Sequence, residues 1–113
     1  MGKGDSLGEF EHLVLLAVLR LGQEGYGMTV RREILSRTGR DAAIGAVYAT
    51  LERLEAKQLV QSSDQAGTAE RGTRVRRMYR LTALGQRAIV KTQHDVAQMM
   101  TGLRIGSLGL KTR

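Results

Sequence analysis

Four arginines within seven residues, Arg74, Arg76, Arg77 and Arg80 of Arg74-Val-Arg-Arg-Met-Tyr-Arg-Leu81, are the densest chemistry in this 113-residue sequence. A guanidinium offers planar N–H donors and a permanent charge, suited to phosphate oxygens or a guanine edge rather than to moving protons. Between Thr68 and Lys91 stand seven cations (Arg71, Arg74, Arg76, Arg77, Arg80, Arg87, Lys91) and one anion, Glu70, so this window holds +6 of the net +7. A local patch of this kind favours a polyanionic partner; a solvated strand face is the plainer alternative. Of the four, Arg80 lies nearest the protein body and is the best placed for a structural role. Upstream, Gly45-Ala-Val-Tyr-Ala-Thr-Leu-Glu-Arg-Leu-Glu-Ala-Lys-Gln-Leu59 reads as an amphipathic helix. At about 100° per residue, Val47, Leu51, Leu54 and Gln58 share one side. Gly45, Ala46, Ala49, Glu52, Arg53 and Ala56 share the other, a small flat face able to approach another surface closely. Arg53, its long cation, either grips a guanine or a phosphate, or is spent on an ion pair with Glu52 or on solvent. Tyr48, on the flank, packs against the neighbouring hairpin, reaches a phosphate with its phenol, or does both.

Other chemistries find little support. No Ser-His-acid set, metal spacing or phosphate loop is present, and the 11 acidic residues are scattered, so neither an enzyme nor a cofactor is expected. His12 and His94 are isolated, which argues against a metal site. Cysteine is absent, so there are no disulfides or thiolate ligands, in keeping with a reducing cytoplasm. The apolar run Leu13 to Leu19 is too short to span a bilayer and follows Glu9 and Glu11, where an export signal would be basic. No helix combines a basic face with a bulky apolar one, which disfavours a membrane-surface binder. Gly25-Tyr-Gly27 lacks the third glycine and preceding strand of a dinucleotide site.

The elements that must position these residues follow from periodicity and caps. Residues 1–6 read as a flexible leader, with Ser6 and Glu9 at capping-box spacing. A helix over about Glu9 to Leu21 is apolar on most sides, implying more than one packing partner. A second, about Met28 to Arg37, turns Val30 and Ile34 inward and Arg31, Arg32 and Arg37 outward, and ends at Gly39. A short connector, Asp41 to Ile44, leads into the Gly45 helix. Leu59 to Ser63 reads as a strand, Asp64 to Thr73 as a polar loop, and Val75, Arg77, Tyr79 and Leu81 alternate with Arg74, Arg76, Met78 and Arg80 as a second strand. Thr82 is an N-cap for a last helix to about Leu103. Its stripe of Gly85, Ala88, Ile89, Thr92, Val96, Met99, Met100 and Leu103 has no later element to cover it. The end of that stripe, Val96, Met99, Met100 and Leu103, is expected to be a subunit contact. Residues 104–113 read as a flexible tail. The fold expected is mainly α with a small β-hairpin: a winged helix-turn-helix over residues 7–82 plus a C-terminal dimerisation helix over residues 83–103.

The stretches Gly8-Glu-Phe-Glu-His-Leu-Val-Leu-Leu-Ala-Val-Leu19, Gly25-Tyr-Gly27, Gly45-Ala-Val-Tyr-Ala-Thr-Leu-Glu-Arg-Leu54, Glu70-Arg-Gly72 and Tyr79-Arg-Leu-Thr-Ala-Leu-Gly85 resemble the PadR family of bacterial transcriptional regulators, most closely its short members with one C-terminal helix. The resemblance implies a homodimer, usually a repressor, joined through the C-terminal and N-terminal helices. It implies that Tyr48 and its neighbours on the reading helix meet double-stranded DNA and that wing arginines hold the phosphates. The expected DNA-binding set is Gly45, Ala46, Tyr48, Ala49, Thr50, Arg53, Arg71, Thr73, Arg74, Arg76 and Arg77, with Ala46, Ala49, Thr50 and Arg53 near base edges. The expected target is an inverted-repeat operator. Three positions depart from the family pattern. Ala43 replaces a common Ser, leaving Asp41 or solvent to cap the reading helix, and Thr73 and Met78 replace a Gly and a Tyr in the wing. Some relatives sense phenolic acids or planar drugs, but Phe10, Tyr26, Tyr48 and Tyr79 are the only aromatics here and indicate no stacking pocket. The sequence assigns no effector. The rival reading is a winged helix that docks an acidic protein.

Overall fold

The computed structural model describes residues 7–66 and 75–104. Helix α1 (Glu9–Leu21) leads through a single 3-10 turn (Gly22–Glu24) to α2 (Gly27–Thr38) and α3 (Ile44–Ala56). Strands β1 (Val60–Ala66) and β2 (Val75–Leu81) pair antiparallel, and α4 (Ala83–Met100) closes the chain. The three-helix unit with its hairpin is a winged helix-turn-helix, as the sequence predicted.

Each helix buries a stripe at three- and four-residue spacing. Val14, Leu15 and Val18 of α1 meet Val30 and Ile34 of α2 and Val47, Leu51 and Leu54 of α3; all are at most 3% exposed. Burying side chains of this size stabilises by roughly 1.5–3 kcal/mol each. Tyr79 and Val60 bring the hairpin into the same core. The Tyr79 N–H also donates to the Gly25 carbonyl at 2.7 Å, pinning β2 to the turn before α2.

The termini correct several expectations. The first turn of α1 is held by Glu11, whose carboxylate accepts the Gly8 N–H at 3.0 Å; Ser6 lies outside the described residues. Gly39 ends α2 as expected, left-handed at φ 78°, with its N–H bonded to the Leu35 carbonyl at 2.9 Å. Helix α3 stops at Ala56 rather than running to Leu59. Gln58 leaves the helical stripe and takes φ 66°, reversing the chain so that Leu59 and Val60 enter the core. Strand β1 runs on to Ala66, so the hairpin is longer than expected, with Asp64 opposite Arg77. The wing tip, with Arg71, Thr73 and Arg74, lies outside the described residues.

Thr82 caps α4 as expected, accepting the Gly85 N–H at 2.9 Å. Its hydroxyl is also within 2.8 Å of the Gln58 carbonyl and 3.0 Å of that of Leu59. A Cβ at Gly85 would collide with the Leu59 carbonyl, so glycine lets α4 start against the hairpin base. Gly85 and Ile89 are buried and Ala88 and Thr92 half-buried, while every described residue from Gln93 to Arg104 is exposed. The helix ends at Met100, leaving Leu103 just beyond it. Val96, Met99, Met100 and Leu103 continue the stripe that Gly85 and Ile89 begin, but with 42–78% of their surface exposed.

Candidate nucleic-acid interface

The exposed face of α3 carries Gly45, Ala46, Tyr48, Ala49, Glu52, Arg53 and Ala56. Thr50 does not belong to it. With 2% exposure it completes the inward stripe of Val47, Leu51 and Leu54, because three and four residues of helix return to the same side. A base-edge role for Thr50 does not fit this placement.

Arg53 has a partner that the local sequence does not reveal. Its Nε donates to Glu11 Oε2 at 3.3 Å and its Nη2 to Thr50 Oγ1 at 3.3 Å. The ion pair is therefore with a residue 42 positions earlier, and not with the neighbouring Glu52. Glu11 is 8% exposed and also receives Lys57 Nζ at 3.1 Å on each oxygen. Burial pushes its carboxyl up, but the Gly8 N–H and the Lys57 and Arg53 cations outweigh that and hold it below the usual value of 4.5. Glu11 falls on the α1 stripe with Val14, Leu15 and Val18. A carboxylate in phase with that apolar run was the signal for a buried charge in need of cations.

The first turn of α3 has no side-chain cap. Asp41, expected there, instead pairs with Arg31 Nη2 at 2.7 Å, while Arg31 Nε donates to the Ala42 carbonyl at 2.8 Å. Arg31, expected to face outward, thus braces the connector. Beside the uncapped turn runs a shallow groove between the start of α1, the connector and α3, lined by Phe10, Arg40, Ala43, Ala46, Ala49 and Arg53. The Arg40 guanidinium lies 4.7 Å above the Phe10 ring and 3.5 Å from Glu9. Neither Phe10 nor Arg40 was singled out from sequence, since only the fold carries α1 to the connector.

Tyr48 packs elsewhere than expected. Its ring lies on the backbone of Gly27, at the start of α2, so closely that a Cβ at Gly27 would overlap it. The adjacent Tyr26 ring carries the guanidinium of Arg76 at 4.2 Å. The Tyr26-Gly27 pair therefore links Tyr48 of α3 with Arg76 of the wing, a role that the turn residues alone did not signal. Arg76 is exposed, whereas Arg77 is committed to Asp64 at 3.3 Å, whose negative charge raises the arginine further. Arg80 is exposed.

His12 is half-buried and its Nδ1 has no hydrogen-bond partner among the described residues; burial lowers its pKa below 6.5. Among the described residues no His, Cys, Asp or Glu cluster suited to a metal ion occurs, and no helix is long and apolar enough to cross a membrane.

Comparison with known proteins agrees with this geometry. RosR of H. salinarum is 24% identical, with 87% of this chain matched to 81% of that one at a TM-score of 0.64. A PadR family transcription regulator from Clostridium difficile R20291 is 22% identical over 80% of this chain and 94% of that one, at 0.63. Bacillus subtilis PadR in complex with operator DNA is 16% identical over 75% of this chain but only 46% of that one, at 0.66. At such identities the likeness is one of fold. Among curated proteins, none matches significantly. Residues 15–91 match the profile of the PadR-like family of transcriptional regulators, well over half of the sequence, and the chain belongs to that family.

Proposed function

We propose that the protein is a homodimeric repressor that binds an inverted-repeat DNA operator through α3 and the wing. The observation that carries this reading is the composite surface of a flat α3 face with an uncapped first turn, Arg40 and Arg53 bordering its groove, and Arg76 set on Tyr26 beside it. Open amides at a helix start and guanidinium groups both suit phosphate oxygens. The small side chains of Ala46 and Ala49 let the helix backbone approach base edges and thymine methyls. Arg71, Thr73 and Arg74 would extend the phosphate contacts along the wing, and Arg77 would join them once exchanged from Asp64.

The exposed end of the α4 stripe supports dimerisation, which would set two reading helices on successive half-sites. Leu19 of α1 is also 47% exposed and could extend that contact. Such a regulator would work in the cytoplasm, where the DNA is. Displacement from the operator would need a ligand or partner with different affinities for two spacings of the reading helices.

Selection from a randomised duplex library, followed by anisotropy titration of the enriched duplex, tests the proposal. A related half-site repeated in opposite orientation is expected, with two chains bound per duplex. Log K should fall by about 0.9 for each neutralised phosphate per unit of log salt. A chain that enriches no sequence and shows no duplex binding at physiological salt would fail the test and favour the acidic-protein dock.

A further inference from the structure

We propose that Glu11 is a positioning residue for sequence reading, holding Arg53 so that one fixed edge of its guanidinium faces the DNA groove. This rests on the DNA-binding reading above. Glu11 stands on α1, outside the reading helix, and is almost completely buried. Its Oε2 takes Arg53 Nε, and Thr50 Oγ1 takes Arg53 Nη2, each at 3.3 Å. One side of the guanidinium is thus committed to the protein. Nη1 and the second Nη2 hydrogen remain for a partner, and the Arg53 side chain is 56% exposed, so that end reaches solvent.

The consequence is a division between affinity and specificity. An untethered arginine has many rotamers and pairs with whichever phosphate is nearest, which adds affinity on any sequence. A guanidinium already fixed by a buried carboxylate loses less freedom when it meets a base edge, and meets it in one orientation. The anion also offsets the local positive charge, weakening phosphate attraction at that point. Glu11 therefore trades affinity on arbitrary DNA for discrimination. Lys57 supplies the second cation on the carboxylate, at 3.1 Å, from a less exposed position than Arg53.

The test compares the full chain with Glu11→Gln, Arg53→Lys, Arg53→Ala and the Glu11→Gln/Arg53→Ala pair. Each is titrated at one salt concentration against the duplex enriched by the wild-type chain and a random duplex of equal length. Glutamine can still accept the Gly8 N–H. Glu11→Gln should bind random duplex at least as well as wild type, while the enriched-to-random ratio falls about tenfold. Arg53→Lys, which keeps the charge but lacks the planar edge, should show the same fall. In the Arg53→Ala background the Glu11 change should leave the ratio where it is. An unchanged ratio in Glu11→Gln, or an equal further fall without Arg53, overturns the proposal. Should Glu11→Gln fail to fold, an unchanged ratio in Arg53→Lys overturns it as well. A wild-type chain that enriches no duplex instead overturns the DNA-binding reading beneath it, before any variant is compared.

Discussion

Acid titration separates the stabilising role of Glu11 from its positioning role. Its folded-state pKa is depressed, so the ionised carboxylate contributes stability that is fully present above about pH 4.5 and is lost as pH falls through the lower folded value. The difference in urea midpoint between wild type and Glu11→Gln should be constant from pH 6 to 8 and shrink below about pH 4.5. His12 is depressed as well, and its loss of stability below about pH 6.5 is common to both proteins and cancels in that difference. A second residue-scale test concerns Tyr48. Because a Cβ at Gly27 would overlap the far end of the exposed Tyr48 ring, which can swing outward, Gly27→Ala should destabilise by no more than about 1 kcal/mol in thermal unfolding. Most of that loss should vanish in a Tyr48→Ala background; an undiminished loss would mean that the Gly27 backbone, and not the ring, sets the limit.

At the scale of elements, the joint between α3 and the hairpin carries strain. Gln58 is the one described non-glycine residue with positive φ, at 66°, in a region where a side chain costs roughly 1–2 kcal/mol. Its side chain is exposed, and its carbonyl, the group facing Thr82, is retained by any substitution. Gln58→Gly should therefore raise stability by about 0.5–1 kcal/mol, after glycine's greater unfolded-state entropy is set against the relieved strain. Chemical denaturation with an unchanged m-value would check it. The physical origin of the strain is the competition between the helical pattern running to Leu59 and the core's need for Leu59 and Val60. Tertiary burial wins, and the helix ends early.

For the whole molecule, the outstanding feature is a helix whose apolar stripe extends past the part that its own chain buries. Gly85 and Ile89 use that stripe within the chain, and Val96, Met99, Met100 and Leu103 present the rest to solvent. At about 25 cal/mol per Å2, covering those four side chains with a second copy would contribute several kcal/mol. Met100→Asp should give a monomer by light scattering at tens of micromolar and lose operator affinity, because a carboxylate in the seam would be desolvated without a partner. Its circular dichroism should stay close to that of wild type, since Met100 stands outside the buried core of the chain. Wild-type protein that is monomeric under the same conditions would remove dimerisation from the proposed function.

The sequence by itself determined what local periodicity and caps control. It placed α1 and α2 to within a residue, the glycine stop at Gly39, the Thr82 cap, the alternation that buries Tyr79, and the apolar stripe of α4. Each depends on neighbours within about four residues along the chain or on the two-residue period of a strand. Thr50 was within reach of the same rule, standing three residues after Val47 and four before Leu54, but its hydroxyl gave it the look of a surface residue. Tertiary structure alone decided which charges are already committed. Arg53 finds Glu11 across 42 residues, Asp41 turns to Arg31 instead of capping α3, Arg40 lies on Phe10, and Arg76 rests on Tyr26. A charge pairs with whatever counterion or ring packing brings within a few ångströms, and that distance in space is set by how helices and hairpin close on the core, not by spacing along the chain.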